Sequence, residues 1–259
     1  PMGKVVAITN QKGGVGKTTT SINLAASLAR TRRRVMLIDI DPQGNATMGS
    51  GVNKQANRVT TYEVLIGLEP IEAARVTVEG GYDLVPSNSQ LSGAEVELIE
   101  LEQRERRLRG ALENVRAQYD YILVDCPPAL NLLTVNALVA AQSVMIPMQC
   151  EYYALEGLTA LLNTIRKIRE TLNPELEIEG LLRTMYDPRN NLDNEVSAQL
   201  KQHFGDKLYR TVIPRNIRLA EAPSHGKPVI AYDMQSKGAQ AYLALAGEML
   251  RREEEVVAA

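Results

Sequence analysis

Residues 12–19 read Lys12-Gly13-Gly14-Val15-Gly16-Lys17-Thr18-Thr19. An apolar run, Val5-Val6-Ala7-Ile8, precedes them, and a helical pattern over 18–30 follows. A glycine turn between a buried strand and a helix leaves backbone N–H groups free to curl around phosphate oxygens. The helix N-terminus adds a partial positive charge. A lysine at position 17 reaches the outer phosphates of a nucleotide, and the Thr18 hydroxyl suits a magnesium ion. The plain alternative is a turn that merely joins two elements. Gly-Lys-Thr-Thr at the helix entry argues against it.

The same alternation runs outward from this stretch. Apolar runs at 35–38 and 121–124 read as further buried strands, 144–146 and 178–182 are further strand candidates, and 209–213 is a weaker one. Helical spacing recurs at 94–117, 132–141, 155–172, 192–204 and 238–252. Continuous apolar strands alternating with helices predict an α/β fold, a single-domain P-loop NTPase with a mostly parallel twisted sheet and helices on both faces. No repeat or Pro/Gly/Ser-rich linker divides the chain, so one domain is expected over 1–259. The charged segment 95–109 has leucines at helical spacing and reads as a solvated amphipathic helix rather than a partner-binding one. The tail, 251–259, is acidic and then small and apolar, and is expected to fray.

Composition narrows the class. The chain has 259 residues, 44% of them hydrophobic, which excludes disorder. One Phe and no Trp leave the core to Val, Ile, Leu, Ala and Met. Two cysteines, Cys126 and Cys150, exclude a disulfide scaffold. No stretch approaches the roughly 18 to 20 apolar residues that span a bilayer. Pro1, standing before Met2, is expected to be a cloning remnant, and no secretory signal is expected before Asn10. A reduced cytoplasmic setting follows. The formal charge of −2 neither demands nor forbids nucleic-acid binding, which would need a local patch.

Three aspartates stand at or just past strand ends, where an open α/β sheet binds its ligands. Asp39 and Asp41 lie in Leu37-Ile38-Asp39-Ile40-Asp41-Pro42-Gln43-Gly44-Asn45, and Asp125 closes Ile122-Leu123-Val124-Asp125. A carboxylate after a buried strand is costly to desolvate unless a cation pairs with it, and magnesium supplies one. Each aspartate alone reads as a cap or turn residue; the three together, downstream of a phosphate loop, do not. Cys126 and Cys150 read as buried small residues rather than a cluster site. His203 and His225 read as surface or cap residues.

Position 11 is Gln where the standard phosphate-loop pattern has glycine, and a second lysine, Lys12, precedes Gly13. From the residues alone Lys12 is either a solvated loop lysine or a second phosphate contact. This deviant Walker A pattern resembles the ParA/Soj-type chromosome-partition ATPases of the ParA/MinD group, and the resemblance extends from Lys4 to about Leu250. The resemblance implies ATP and Mg²⁺ as ligands and a sandwich homodimer in which Lys12 contacts nucleotide across the interface. It assigns Lys12, Gly13, Gly14, Val15, Gly16, Lys17, Thr18 and Thr19 to the nucleotide. Lys12 and Lys17 stabilise developing charge, and Asp41 orients the attacking water. Thr18, Asp39 and Asp125 hold the metal, with the division of roles between Asp39 and Asp41 left open.

The run Ile213-Pro214-Arg215-Asn216 followed by 218–228 is close to that family's C-terminal signature. By the same resemblance Pro214 packs on adenine, Asn216 hydrogen-bonds to it, and the Met185-Tyr186 turn lines the other side. Arg189, Arg218 and Lys227 stand at positions that bind DNA without sequence preference, through phosphate neutralisation that salt weakens. With a phosphate loop this near the start, no N-terminal helix-turn-helix domain is expected. A ParB/Spo0J-like partner and a nucleoid location are implied. A membrane-cycling, MinD-type switch is the alternative. It calls for a basic, bulky amphipathic C-terminus, where this chain has Glu253-Glu254-Glu255 and then Val and Ala.

Overall fold

Side chains alternate between the two faces of a strand, so a run without polar positions needs apolar cover on both sides. The computed structural model, which describes residues 3–14 and 16–259, provides that cover. The strands are β1 (Lys4–Ile8), β2 (Val35–Asp39), β3 (Val76–Thr77), β4 (Asp83–Val85), β5 (Tyr121–Asp125), β6 (Ser143–Gln149) and β7 (Glu177–Thr184). They form one sheet in the order β3-β4-β2-β5-β1-β6-β7, and every neighbouring pair is parallel except β3 with β4.

Val5, Ala7, Met36, Ile38, Ile122 and Val124 face one layer of core, and Val6, Ile8, Val35, Leu37, Tyr121 and Leu123 face the other. Helices Leu91–Ile99, Leu132–Ala140 and Ala154–Thr171 cover the first face; Lys17–Arg30 and Lys237–Ala258 cover the second. Each buried leucine or isoleucine contributes roughly 1.5–3 kcal/mol. The last two helices are also tied by a buried hydrogen bond of 2.9 Å between the Thr20 and Tyr242 hydroxyls.

Register positions the chemistry. Ile8 of β1 lies across from Asp125 of β5, and Asp125 lies across from Asp39 of β2. Two carboxylates therefore stand side by side at the carboxyl edge of the sheet, next to the strand that delivers the phosphate loop. This is the crevice in which an open α/β sheet binds ligands.

Three expectations are corrected. The helix expected over 94–117 is broken: Leu91–Ile99 ends before Gln103, whose φ is +51°, and a turn at Arg104–Arg106 leads into Arg107–Leu112. Buried Asn136 stabilises the break, accepting from the Leu108 amide at 3.2 Å and donating to the Arg104 carbonyl at 2.8 Å. Residues 209–213 do not form a strand. Tyr209 and Ile213 donate to Leu181 and Arg183 of β7, but the amides of Arg210 and Thr211 turn to the Glu248 carboxylate, both at 2.9 Å. The expected frayed tail is helical to Ala258, and Glu253 within it accepts from the Tyr121 hydroxyl and pairs with Lys4.

Candidate nucleotide-binding and hydrolysis site

The phosphate loop leaves β1 through buried Asn10, whose side chain donates to the Pro147 carbonyl at 2.9 Å and accepts from the Lys12 amide at 3.0 Å. Gly14 and Gly16 have φ of +73° and +81°, a region that glycine enters without steric cost. A Cβ on Gly13 or Gly14 would meet nothing within 4 Å, so open space lies over the loop. Gly16 then starts the 14-residue helix Lys17–Arg30, which has no side-chain cap. An uncapped helix N-terminus beneath an open glycine cradle is an anion site. Val15 lies outside the described residues.

Lys17 is buried, and its Nζ donates to the Lys12 carbonyl at 3.2 Å. Burial pulls its pKa below the ordinary lysine value, while the charges of Asp125 and Asp41 act in the other direction. Thr18 Oγ1 donates to Asp125 Oδ2 at 3.0 Å and Ser21 Oγ donates to Asp125 Oδ1 at 2.7 Å. Positions 18 and 21 share a helix face, so both hydroxyls reach one carboxylate.

Asp39 and Asp125 are fully buried, and Asp41 is 7% exposed. Burial first, and for Asp39 the neighbouring Asp125 charge second, push the Asp39 and Asp125 carboxyls upward; hydrogen bonds from Ser21 and Thr18 oppose the shift at Asp125. Carboxyls pushed up by burial and by a neighbouring carboxylate, beside a threonine hydroxyl and a phosphate cradle, fit a divalent cation. Asp39 faces inward. Its oxygens accept from the Asp41 amide at 3.0 Å, the Thr47 amide at 2.9 Å and the Thr47 hydroxyl at 2.7 Å. The structure thus brings Lys17, Thr18, Asp39, Asp41 and Asp125 to one edge, with Asp39 organising the loop that carries Asp41.

Lys12 is half exposed and pairs with Glu151, just beyond β6. Gln11 supports this side, donating to the Gly157 carbonyl at 3.1 Å. Next to it, a Cβ on Gly16 would lie 3.5 Å from Thr184, so the end of β7 abuts the phosphate loop. Met185 follows with φ +50°, and the Tyr186 amide donates to the Ile213 carbonyl at 3.0 Å, bringing the Met185-Tyr186 turn against Pro214. Asn216 caps the helix Ile217–Glu221: its Oδ1 accepts from the amides of Arg218 and Leu219 at 3.1 and 3.3 Å. Its Nδ2 donates no hydrogen bond among the described residues.

The three candidate DNA contacts are each matched with a carboxylate. Arg189 pairs with Asp187 at 3.1 Å, Arg218 with Glu221 at 2.9 Å and Asp233 at 3.2 Å, and Lys227 stands 4.0 Å from Glu79. Cys126 and Cys150 are buried, and burial pushes the Cys150 thiol up to about 11. His203 and His225 are exposed, each ring nitrogen near a carbonyl of its own helical turn. Sequence reading missed Ser21, Thr47, Ser87 and Glu151. Only Ser21 had a local signal, its i,i+3 spacing from Thr18.

Comparison with known proteins gives the family. The family described as AAA domain matches residues 3–178. The sporulation initiation inhibitor protein Soj of Bacillus subtilis is 56% identical over 249 residues, covering 96% of this chain and 98% of that protein. The chromosome partitioning protein ParA of Caulobacter vibrioides is 54% identical over 255 residues, covering 97% and 96%. The chain belongs to the ParA/Soj family of chromosome-partitioning ATPases.

Solved structures share the fold. A Mycobacterium smegmatis protein named cobyrinic acid a,c-diamide synthase, with bound ADP and magnesium, is 36% identical and covers 98% of this chain and 96% of its own, with a TM-score of 0.86. The septum site-determining protein MinD of Pyrococcus horikoshii, complexed with Mg-ADP, is 27% identical over 95% and 96% of the two chains, with a TM-score of 0.79. The phosphate loop and all three aspartates fall within the matched residues 3–178; Met185, Pro214 and Asn216 fall beyond them, inside the length shared with Soj and ParA.

Proposed function

We propose that this ParA/Soj chain is a magnesium-dependent ATPase whose ATP-bound form is a sandwich dimer that binds DNA without sequence preference. A ParB/Spo0J-like partner stimulates hydrolysis, which returns the chain to a monomer that releases DNA. The observation that supports this most is the open, uncapped glycine cradle beside Lys17, Thr18 and the aspartates. Anion affinity and carboxylate chemistry meet there at one helix N-terminus.

Magnesium, when bound, would supply positive charge against the phosphates, and Thr18 and Asp125 would hold it, with Asp39 behind them. Lys17 exchanges the Lys12 carbonyl for phosphate oxygens. Lys12 exchanges Glu151 for a phosphate bound in the second subunit. Asp41 aligns the attacking water: among the described residues, its Oδ1 accepts from the Gln43 amide at 3.0 Å and its Oδ2 accepts no hydrogen bond, so Oδ2 is free to meet that water. One carboxylate without further help makes a slow catalyst, which is why the partner is needed. Met185, Pro214 and Asn216 hold the base, and Arg189, Arg218 and Lys227 meet DNA phosphates on exchanging their carboxylate partners.

The C-terminal helix does not favour the MinD-type alternative. Arg252 is committed to Glu248 and the Leu208 carbonyl, and Glu253 to Tyr121 and Lys4. No helix among the described residues is long and apolar enough to cross a membrane. The test is DNA retention with ATP, ADP and no nucleotide across a salt series. Retention restricted to ATP and falling steeply with salt is expected; retention indifferent to nucleotide contradicts the reading.

A further inference from the structure

Asp41 is fixed by groups both near it and far from it in sequence. Its amide donates to Asp39 Oδ1 at 3.0 Å, and its carbonyl accepts from the Ser87 hydroxyl at 2.6 Å and the Gly44 amide at 2.9 Å. The Ser87 amide donates to Thr47 Oγ1 at 2.9 Å, and Thr47 Oγ1 donates to Asp39 Oδ2 at 2.7 Å. These bonds close a ring through Asp39, Asp41, Ser87 and Thr47, all four of them buried. Ser87 enters from the exit of β4 and Thr47 from the helix Asn45–Gly49. Thr61 clamps the two strand exits, its hydroxyl lying 2.8 Å from the Asp39 carbonyl and 3.1 Å from the Pro86 carbonyl.

We propose that Ser87, acting with Thr47, is a positioning residue for Asp41, holding its backbone so that the carboxylate is aimed before nucleotide binds. The inference rests on Asp41 being the water-orienting group of the proposed function. The Asp41 carbonyl already has a donor in the Gly44 amide, so the Ser87 hydroxyl is not needed merely to satisfy it. A second donor on the other lone pair fixes direction. Direction matters because a displacement of about 1 Å at a reacting group costs on the order of 100-fold in rate.

The test is single-turnover ATP hydrolysis by the intact chain with magnesium, alongside ATP affinity and amide hydrogen exchange of residues 41–45 without nucleotide. Ser87→Ala and Thr47→Val should each slow hydrolysis by about 10- to 100-fold while ATP affinity changes by less than about threefold. Thr47→Ser, which keeps the hydroxyl, should restore most of the rate. Ser87→Ala should add nothing in an Asp41→Ala background, and it should speed exchange at the Gln43 and Gly44 amides. A wild-type rate in Ser87→Ala overturns the inference, as does an undiminished effect of Ser87→Ala in the Asp41→Ala chain, or unchanged exchange. If Ser87→Ala does not fold, the Thr47→Val and Thr47→Ser pair decides by the same rates. Wild-type hydrolysis by Asp41→Ala alone would refute the role of Asp41 itself, and the inference with it.

Discussion

On the β2 side of the phosphate loop, Asp39, Asp41, Thr47 and Ser87 are buried and bonded into one ring. On the β6–β7 side, Lys12 pairs with Glu151, Tyr152 and Tyr153 are about three-quarters exposed, and Arg189 rests on Asp187; Arg218, in the helix Ile217–Glu221, likewise rests on Glu221. The chain also leaves β6 and β7 through Tyr153 and Met185, non-glycine residues with φ of +63° and +50°. Such conformations cost on the order of 1 kcal/mol each, and the first side has none among residues 39–50 apart from Gly44. Exposed ion pairs contribute roughly 0–1 kcal/mol, so phosphates can displace them cheaply. Under the proposed function, the difference means that the hydrolytic geometry is preset by the fold, while the surfaces proposed for a second subunit and for DNA stay paired with carboxylates until a phosphate replaces them.

The sharpest way to break this comparison is Lys17→Ala. It removes the buried ammonium of the phosphate cradle, and Mg-ATP affinity measured by calorimetry should fall by about 30- to 150-fold, or about 2–3 kcal/mol. A loss below about threefold would mean that the cradle is not the nucleotide site. Arg218→Glu tests the other side. DNA retention at low salt should drop by about 10-fold or more, and ATP-dependent dimerisation should be spared. Loss of both together would make Arg218 a structural residue rather than a DNA contact.

A smaller effect separates stability from function. Burial alone would raise the Glu248 carboxyl, yet the amides of Arg210 and Thr211, the Thr211 hydroxyl and the Arg252 charge together hold it below the ordinary glutamate value. A carboxyl depressed on folding stabilises the fold above its unfolded pKa of about 4.3, and that contribution is lost as pH falls through the lower folded value. Glu248→Gln should cost about 1–2 kcal/mol at neutral pH by denaturant unfolding, and the gap to wild type should close on acidification. A gap that is constant with pH would show that Glu248 acts through packing alone.

Legibility in the sequence followed the reach of each interaction. β1, β2, β5 and β6 were readable from apolar runs buried on both faces, and β7, which carries Glu177, Glu179 and Arg183, from Ile178 and Leu181-Leu182 alone. β3 and β4 are two and three residues long, too short to carry a period. The break in 94–117 depends on Asn136, and the loss of a strand at 209–213 depends on Glu248, so neither could be read locally. Lys17, Thr18, Asp41 and Asp125 were legible because strand ends and a helix start announce them. The inward turn of Asp39 was not, since Thr47 lies eight residues away and Ser87, which completes the ring, is 46 residues from Asp41.

The central claim is that nucleotide joins two subunits through Lys12 and the cradle. The most direct measurement is the mass of the wild-type chain in solution, by light scattering or sedimentation, with magnesium and a non-hydrolysable ATP analogue at saturation, alongside Lys12→Ala under the same conditions. The account predicts a dimer for the wild type, a monomer with ADP, and a monomer for Lys12→Ala that still binds the analogue. A wild-type chain that remains monomeric while saturated, or a Lys12→Ala chain that dimerises normally, contradicts it.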